Sequence, residues 1–81
     1  MNAMYALSKN ISQLRKEGGY SRRHVAETIG INVNTIRSIE RYQKRPSKYD
    51  IRINTLCRLA DFFQVTTDYL VGRASVDTTH I

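Results

Sequence analysis

Tryptophan is absent from this chain, and cysteine and proline occur once each, as Cys57 and Pro46. A lone cysteine rules out a disulfide within the chain, so packing and hydrogen bonds have to hold the fold. The scarcity of proline leaves most of the chain open to helix, because proline removes a backbone donor and breaks the helical ladder. The two histidines, His24 and His80, are scattered relative to Cys57 and to one another, and no metal site is expected. No apolar run approaches the ~18 residues of a bilayer span. The residues before Ile11 hold one lysine and no signal-like apolar block, so neither secretion nor membrane association is expected. No GxxxxGK[ST] phosphate loop occurs, and nothing suggests a nucleophile with its base. Enzymatic activity, a cofactor and a small-molecule ligand are therefore not expected.

What is present is short and basic. The 81 residues suit one small domain, which buries only about 60% of its unfolded surface and has no room for a deep substrate cavity. Apolar residues make up 41% of the chain, enough for folding rather than disorder. Thirteen Lys and Arg against seven Asp and Glu give a net charge of +6. That balance suits a polyanionic partner, although many small proteins are basic without having one.

The stretch from Ser21 to Tyr42 organises the reading. Ser21 is placed to cap a helix, its hydroxyl taking a backbone N–H of the first turn. Val25, Ala26 and Ile29 then form one apolar face. Gly30 suits the helix end, where a left-handed residue closes the last turn without a Cβ clash. Asn32 caps the next helix, and Ile36 and Ile39 give it a narrow buried edge. At about 100° per residue, Asn34, Arg37, Ser38 and Arg41 fall on the side away from that edge, with Val33 exposed at the N-terminal tip. Amide, hydroxyl and guanidinium groups beside one small apolar residue match the donors, acceptors and thymine methyl of a DNA major groove. An ordinary solvated face would carry the same residues.

Elsewhere, Met4, Leu7, Ile11 and Leu14 predict a first helix that ends at Gly18-Gly19, with Ser8 as a candidate internal cap and Lys9, Arg15 and Lys16 on its solvated side. Between Glu40 and Ile53 the periodicity fails, and Arg41, Lys44, Arg45, Lys48 and Arg52 are interleaved with Tyr42, Tyr49 and Pro46. This reads as a basic loop leaving the second helix of the pair, its tyrosine hydroxyls available as phosphate donors. Ile53, Leu56, Leu59, Ala60 and Phe63 line the buried side of a fourth helix. Cys57 sits close to that side and reads as a small core residue rather than a reactive thiol. Thr66 or Thr67 caps a short fifth helix that ends at Gly72, with Asp68 near its positive end. The expected layout is one domain over 1–72, with helices at about 3–17, 22–29, 33–42, 53–63 and 67–71, and a mobile tail over 73–81. No internal repeat or low-complexity segment is present.

Several pieces in order resemble the helix-turn-helix of the Cro and repressor (XRE-like) family: Leu14-Arg15-Lys16-Glu17-Gly18-Gly19, Tyr20-Ser21, Ala26, Gly30-Ile31, and Ile36 through Ile39-Glu40. Val65-Thr66-Thr67-Asp68-Tyr69-Leu70-Val71-Gly72 is similar to the family's fifth helix, and the likeness covers roughly Ile11 to Gly72. The resemblance implies an all-α, compact five-helix lambda-repressor-like DNA-binding domain, with helix three in the major groove and helix two across the phosphates. Val33, Asn34 and Ser38 match the family's main base-reading places. Asn34 suits adenine N6 and N7, and Arg37 or Arg41 suits guanine O6 and N7. Arg22, Arg23, Thr35, Gln43, Lys44, Arg45 and Lys48 are the candidates for phosphate contact. The chain departs from the family in carrying Arg22 where Gln is usual and Arg41-Tyr42 where Asn-Gly is usual, which leaves helix three free to continue a turn further. Its third loop is about five residues longer, and Ser38 is short. The implied function is a bacterial or phage transcriptional regulator, a repressor, in the cytoplasm and on the nucleoid, bound as a homodimer to double-stranded DNA with two half-sites. Helix five and the loop before it would make the dimer contact. An antitoxin that also binds a toxin, and a protein-interaction adaptor without DNA, are the competing readings.

Overall fold

The computed structural model describes residues 2–73, and these hold five α-helices and no strand. They are α1 (Ala3–Glu17), α2 (Arg22–Ile29), α3 (Val33–Arg41), α4 (Ile53–Phe63) and α5 (Thr67–Leu70). The fold is all-α and lambda-repressor-like. The tail reading over 73–81 lies outside the described residues apart from Arg73.

Local chemistry sets most of the helix ends. Asn2 begins α1 by accepting the N–H of Met4 at 2.7 Å, and Ser8, a candidate internal cap, instead donates to the Glu40 carbonyl at 3.0 Å. Ser21 Oγ accepts from the N–H of His24 at 3.0 Å, and Asn32 Oδ1 from that of Asn34 at 2.7 Å. Thr66, rather than Thr67, caps α5 through the N–H of Tyr69 at 3.0 Å. Gly30 closes α2 at φ 79°, a left-handed backbone where a Cβ costs energy even though the nearest side-chain atom is 3.9 Å from where it would stand. α3 stops at Arg41 with Tyr42 as its cap, and the N–H groups of Lys44 and Arg45 both fold back onto the Arg41 carbonyl at 2.9 Å. The chain thus coils briefly past the helix before Pro46.

α3 packs on both α1 and α2, while α4 packs on α2 and α5, and α5 returns to α1. Leu7, Ile11, Val25, Ile36, Ile39, Leu59 and Leu70 are fully buried at the centre. The long third loop is anchored at both ends, by Tyr42 within the core and by Tyr49 and Ile51 packed against it. Burial pushes the Tyr49 hydroxyl above the usual tyrosine range; Arg52 opposes the shift and Asp50 adds to it. That hydroxyl is neutral at any ordinary pH.

Four readings are corrected here. Arg15 is not solvated: its guanidinium is buried, donating from Nε to Glu40 Oε2 at 2.6 Å and from Nη2 to Oε1 at 3.0 Å. The Glu40 hydrogen bond holds its pKa above the ordinary arginine value, against desolvation that would lower it. Ile53, in the first turn of α4, is 69% exposed rather than buried. Cys57 is exposed as well, since it stands about 200° round the helix from fully buried Leu59. Tyr42 is buried in the core, where its hydroxyl accepts from Asn2 Nδ2 at 2.7 Å, rather than standing on the loop surface as a phosphate donor.

Two outcomes follow from this packing. Replacing Glu40 by Ala strands the Arg15 charge and should cost about 3–5 kcal/mol, whereas the paired change Arg15→Met with Glu40→Leu should recover most of it. Urea unfolding measures both, and an unshifted midpoint for Glu40→Ala would contradict the bridge. The Cys57 thiol should react with a disulfide reagent in the native protein as fast as in denaturant. A thiol that reacts only after unfolding would put it back in the core.

Candidate nucleic-acid interface

The outer face of α3 is made by the burial of its inner edge. Ile36 and Ile39 are fully buried, and this rotates Asn34, Arg37 and Arg41 into solvent. Ser38 is half-buried beside them. Val33 is half-buried too and packs against the core, so it offers less of a free tip than the sequence suggested. Arg37 Nη1 donates to Asn34 Oδ1 at 3.0 Å, drawing the guanidinium toward the N-terminal half of the helix. The amide oxygen keeps a second lone pair, so Asn34 can hold Arg37 and still accept from a base edge.

Glu40 ties α3 to its neighbours. Besides its two bonds from Arg15, its Oε1 accepts from Arg22 Nε at 3.1 Å. Its backbone carbonyl accepts from the buried Ser8 hydroxyl at 3.0 Å, and Ser8 Oγ in turn accepts the Gln43 N–H at 3.1 Å. One residue of α3 is therefore tied to α1, to α2 and, through Ser8, to the loop. No buried side-chain polar atom among the described residues lacks a partner.

The proposed phosphate residues do not all share one surface. Arg22 is half-committed to Glu40, and Arg23 faces Glu27 in a loose exposed pair at 3.8 Å. Lys44, Arg45 and Lys48 are exposed, while Gln43 is half-buried with its backbone bound to Ser8. Thr35 lies apart from these, lining a hollow with Ile31, Tyr49, Asp50, Arg52 and Thr55. A second hollow, of about 320 Å³, gathers Ser12 and Lys16 from α1, Arg22 from α2, Arg37, Glu40 and Arg41 from α3, and Gln43 and Lys44 beyond it.

Two features escaped the sequence reading. Lys16 belongs to that basic hollow, which only the crossing of α1 over α3 reveals. On another side, Tyr20 stacks on His24 with ring centroids 5.5 Å apart and meets Phe62 edge-on at 5.0 Å, and Phe62 meets Phe63 at 4.9 Å. No group of three or more His, Cys, Asp or Glu side chains stands together as a metal site among the described residues. None of their helices is long and apolar enough to cross a membrane.

Two capped helices joined by a left-handed glycine, the second with a bare polar face, define the helix-turn-helix class of DNA-binding domain. The helix-turn-helix family model HTH_3 matches residues 11–70, and the chain belongs to that family. It is similar to the HTH-type transcriptional regulator ImmR of Bacillus subtilis (strain 168), with 31% identity over 71 residues, 88% of this chain and 52% of the relative. It is also similar to the HTH-type transcriptional regulator AnsR of the same organism, with 35% identity over 63 residues, 78% of this chain and 50% of the relative. The chain thus spans about half the length of these curated relatives. No solved structure matches it.

Because the Tyr42 hydroxyl serves the fold, Tyr42→Phe should lower stability by about 0.5–1.5 kcal/mol. Thermal unfolding checks this, and an unchanged transition would leave the hydroxyl without its structural part.

Proposed function

We propose that this chain is a sequence-specific, double-stranded DNA-binding transcriptional regulator that acts as a repressor. The observation that carries this reading is the exposed row Asn34, Arg37 and Arg41 on a helix whose opposite edge, Ile36 and Ile39, is fully buried. Such a helix presents amide and guanidinium groups to base edges. Asn34 reads adenine and Arg37 reads guanine, each bidentate pair discriminating by about 1–3 kcal/mol. Val33 and Ser38 contribute a methyl contact and a hydroxyl at the groove floor. Arg22, Arg23, Thr35, Gln43 and the loop cations Lys44, Arg45 and Lys48 hold the backbone. The names of the two relatives, both HTH-type transcriptional regulators, support the regulatory role.

A single domain of this size makes too few contacts for tight specific binding. The proposed form is a homodimer on two half-sites one DNA turn apart, about 34 Å, joined through α5 and the loop before it. Its place is the cytoplasm, on the nucleoid, and repression follows from occupying the operator.

Binding isotherms across a salt series test the reading. With about four phosphates neutralised per protomer, log K should fall against log salt with a slope near −7 for the dimer. A slope near zero would reject the backbone contacts. On a duplex selected from a random pool, Asn34→Ala should lose discrimination at one base pair, whereas Lys44→Ala should weaken every sequence alike. Equal losses on selected and random duplexes for both variants would contradict that division of labour.

A further inference from the structure

The basic hollow between α1, α2 and the end of α3 joins side chains that the sequence had assigned to different tasks. Lys16, Arg22, Arg37, Arg41 and Lys44 supply five cations to its wall, against the single carboxylate of Glu40. That carboxylate is already spent on Arg15, a further cation standing behind it, and on Arg22 Nε. Lys16 and Arg41 are exposed, and neither side chain has a hydrogen-bond or ion-pair partner among the described residues. Clustered cations repel one another, and their gathering round a concave surface is relieved by an anion that accepts from several at once. A phosphate group, with its several acceptor oxygens, fits that requirement.

We propose that this hollow is the seat of one phosphate group, gripped from three helices at once, and that Lys16 and Arg41 are its clamps. On the DNA-binding reading above, the group is a phosphodiester of the bound duplex. Lys16 thereby becomes a DNA contact on α1, and Arg41 moves from base reading to backbone holding. Arg37 lines the hollow too, but its Nη1 is engaged by Asn34 Oδ1 at 3.0 Å, which keeps it with the base-reading row. The buried Glu40 is the floor that sets the spacing of the clamps, and Arg22 keeps its remaining N–H groups for the phosphate.

Lys16→Gln and Arg41→Gln test this, since neither residue supports the fold. With a duplex selected from a random pool and a scrambled control, each variant should lose affinity by the same factor on both. Each should also give a salt slope shallower by about 0.9 per protomer, about 1.8 for the dimer, so that the wild-type advantage shrinks about 12-fold between 50 and 200 mM salt. An unchanged slope for Lys16→Gln, or an altered base preference for Arg41→Gln, would overturn the assignment. Inorganic pyrophosphate is the probe that needs no DNA. Added to the labelled chain, it should shift the amide signals of Lys16, Arg22 and Lys44 in the wild type and not in the doubly substituted protein. No shift in the wild type overturns the seat. Shifts without any salt-sensitive duplex binding support the seat, assign it to free phosphate compounds, and sink the DNA reading alone.

Discussion

A buried carboxylate governs the molecule. Glu40 lies near the end of α3 with its side chain only 5% exposed, and a charge so placed is tolerated only with partners close by. Those partners are Arg15 from α1 and Arg22 from α2, while the Glu40 carbonyl holds Ser8. Ile36 and Ile39 seat one edge of α3 in the core. A fork of two charged hydrogen bonds from Arg15 has a definite direction. Burial of Ile36 and Ile39 sets which side chains of α3 face outward, and this set of contacts ties the helix to α1 and α2 in that setting.

The same arrangement shapes the charge distribution. By absorbing the negative charge near the end of α3 inside the protein, the fold leaves Arg37, Arg41, Lys44, Arg45 and Lys48 on a surface with little acidic competition. Of the other acidic side chains among the described residues, Glu17 ends α1, Glu27 lies on α2, Asp61 on α4 and Asp68 on α5, and Asp50 lies in the loop. A field of that shape draws a polyanion to the side where the amide of Asn34 is displayed. The aromatic group of Tyr20, His24, Phe62 and Phe63 stands where α1 ends against α2 and α4, pinning the turn that precedes α2.

What the sequence disclosed was governed by distance along the chain. Caps at Ser21 and Asn32, the left-handed turn at Gly30 and the buried edge of Ile36 and Ile39 depend on neighbours within about one helical turn, and each was legible. The family resemblance then supplied the arrangement that local rules do not. Arg15 was misread because its partner lies 25 residues later, and a lone arginine on a helix looks solvated until the crossing helix is known. Tyr42 was misread for the same reason, its hydroxyl bonding to an asparagine 40 residues earlier. Ile53 and Cys57 fit an apolar periodicity that the shape of the neighbouring helices does not cover. Lys16 carries no mark in the sequence that separates it from Lys9, since only the α1–α3 crossing brings it beside Arg41.

On the proposed function, α3 is held so that its polar face is the surface that meets a duplex. The most direct measurement is a titration of the isotopically labelled chain with a selected duplex, following the side-chain signals of Asn34, Arg37 and Arg41 alongside the ring signals of Tyr20, Phe62 and Phe63. The three α3 side chains should shift together and saturate at one stoichiometry, with the rings left in place. Moving rings beside an unperturbed α3 would contradict it.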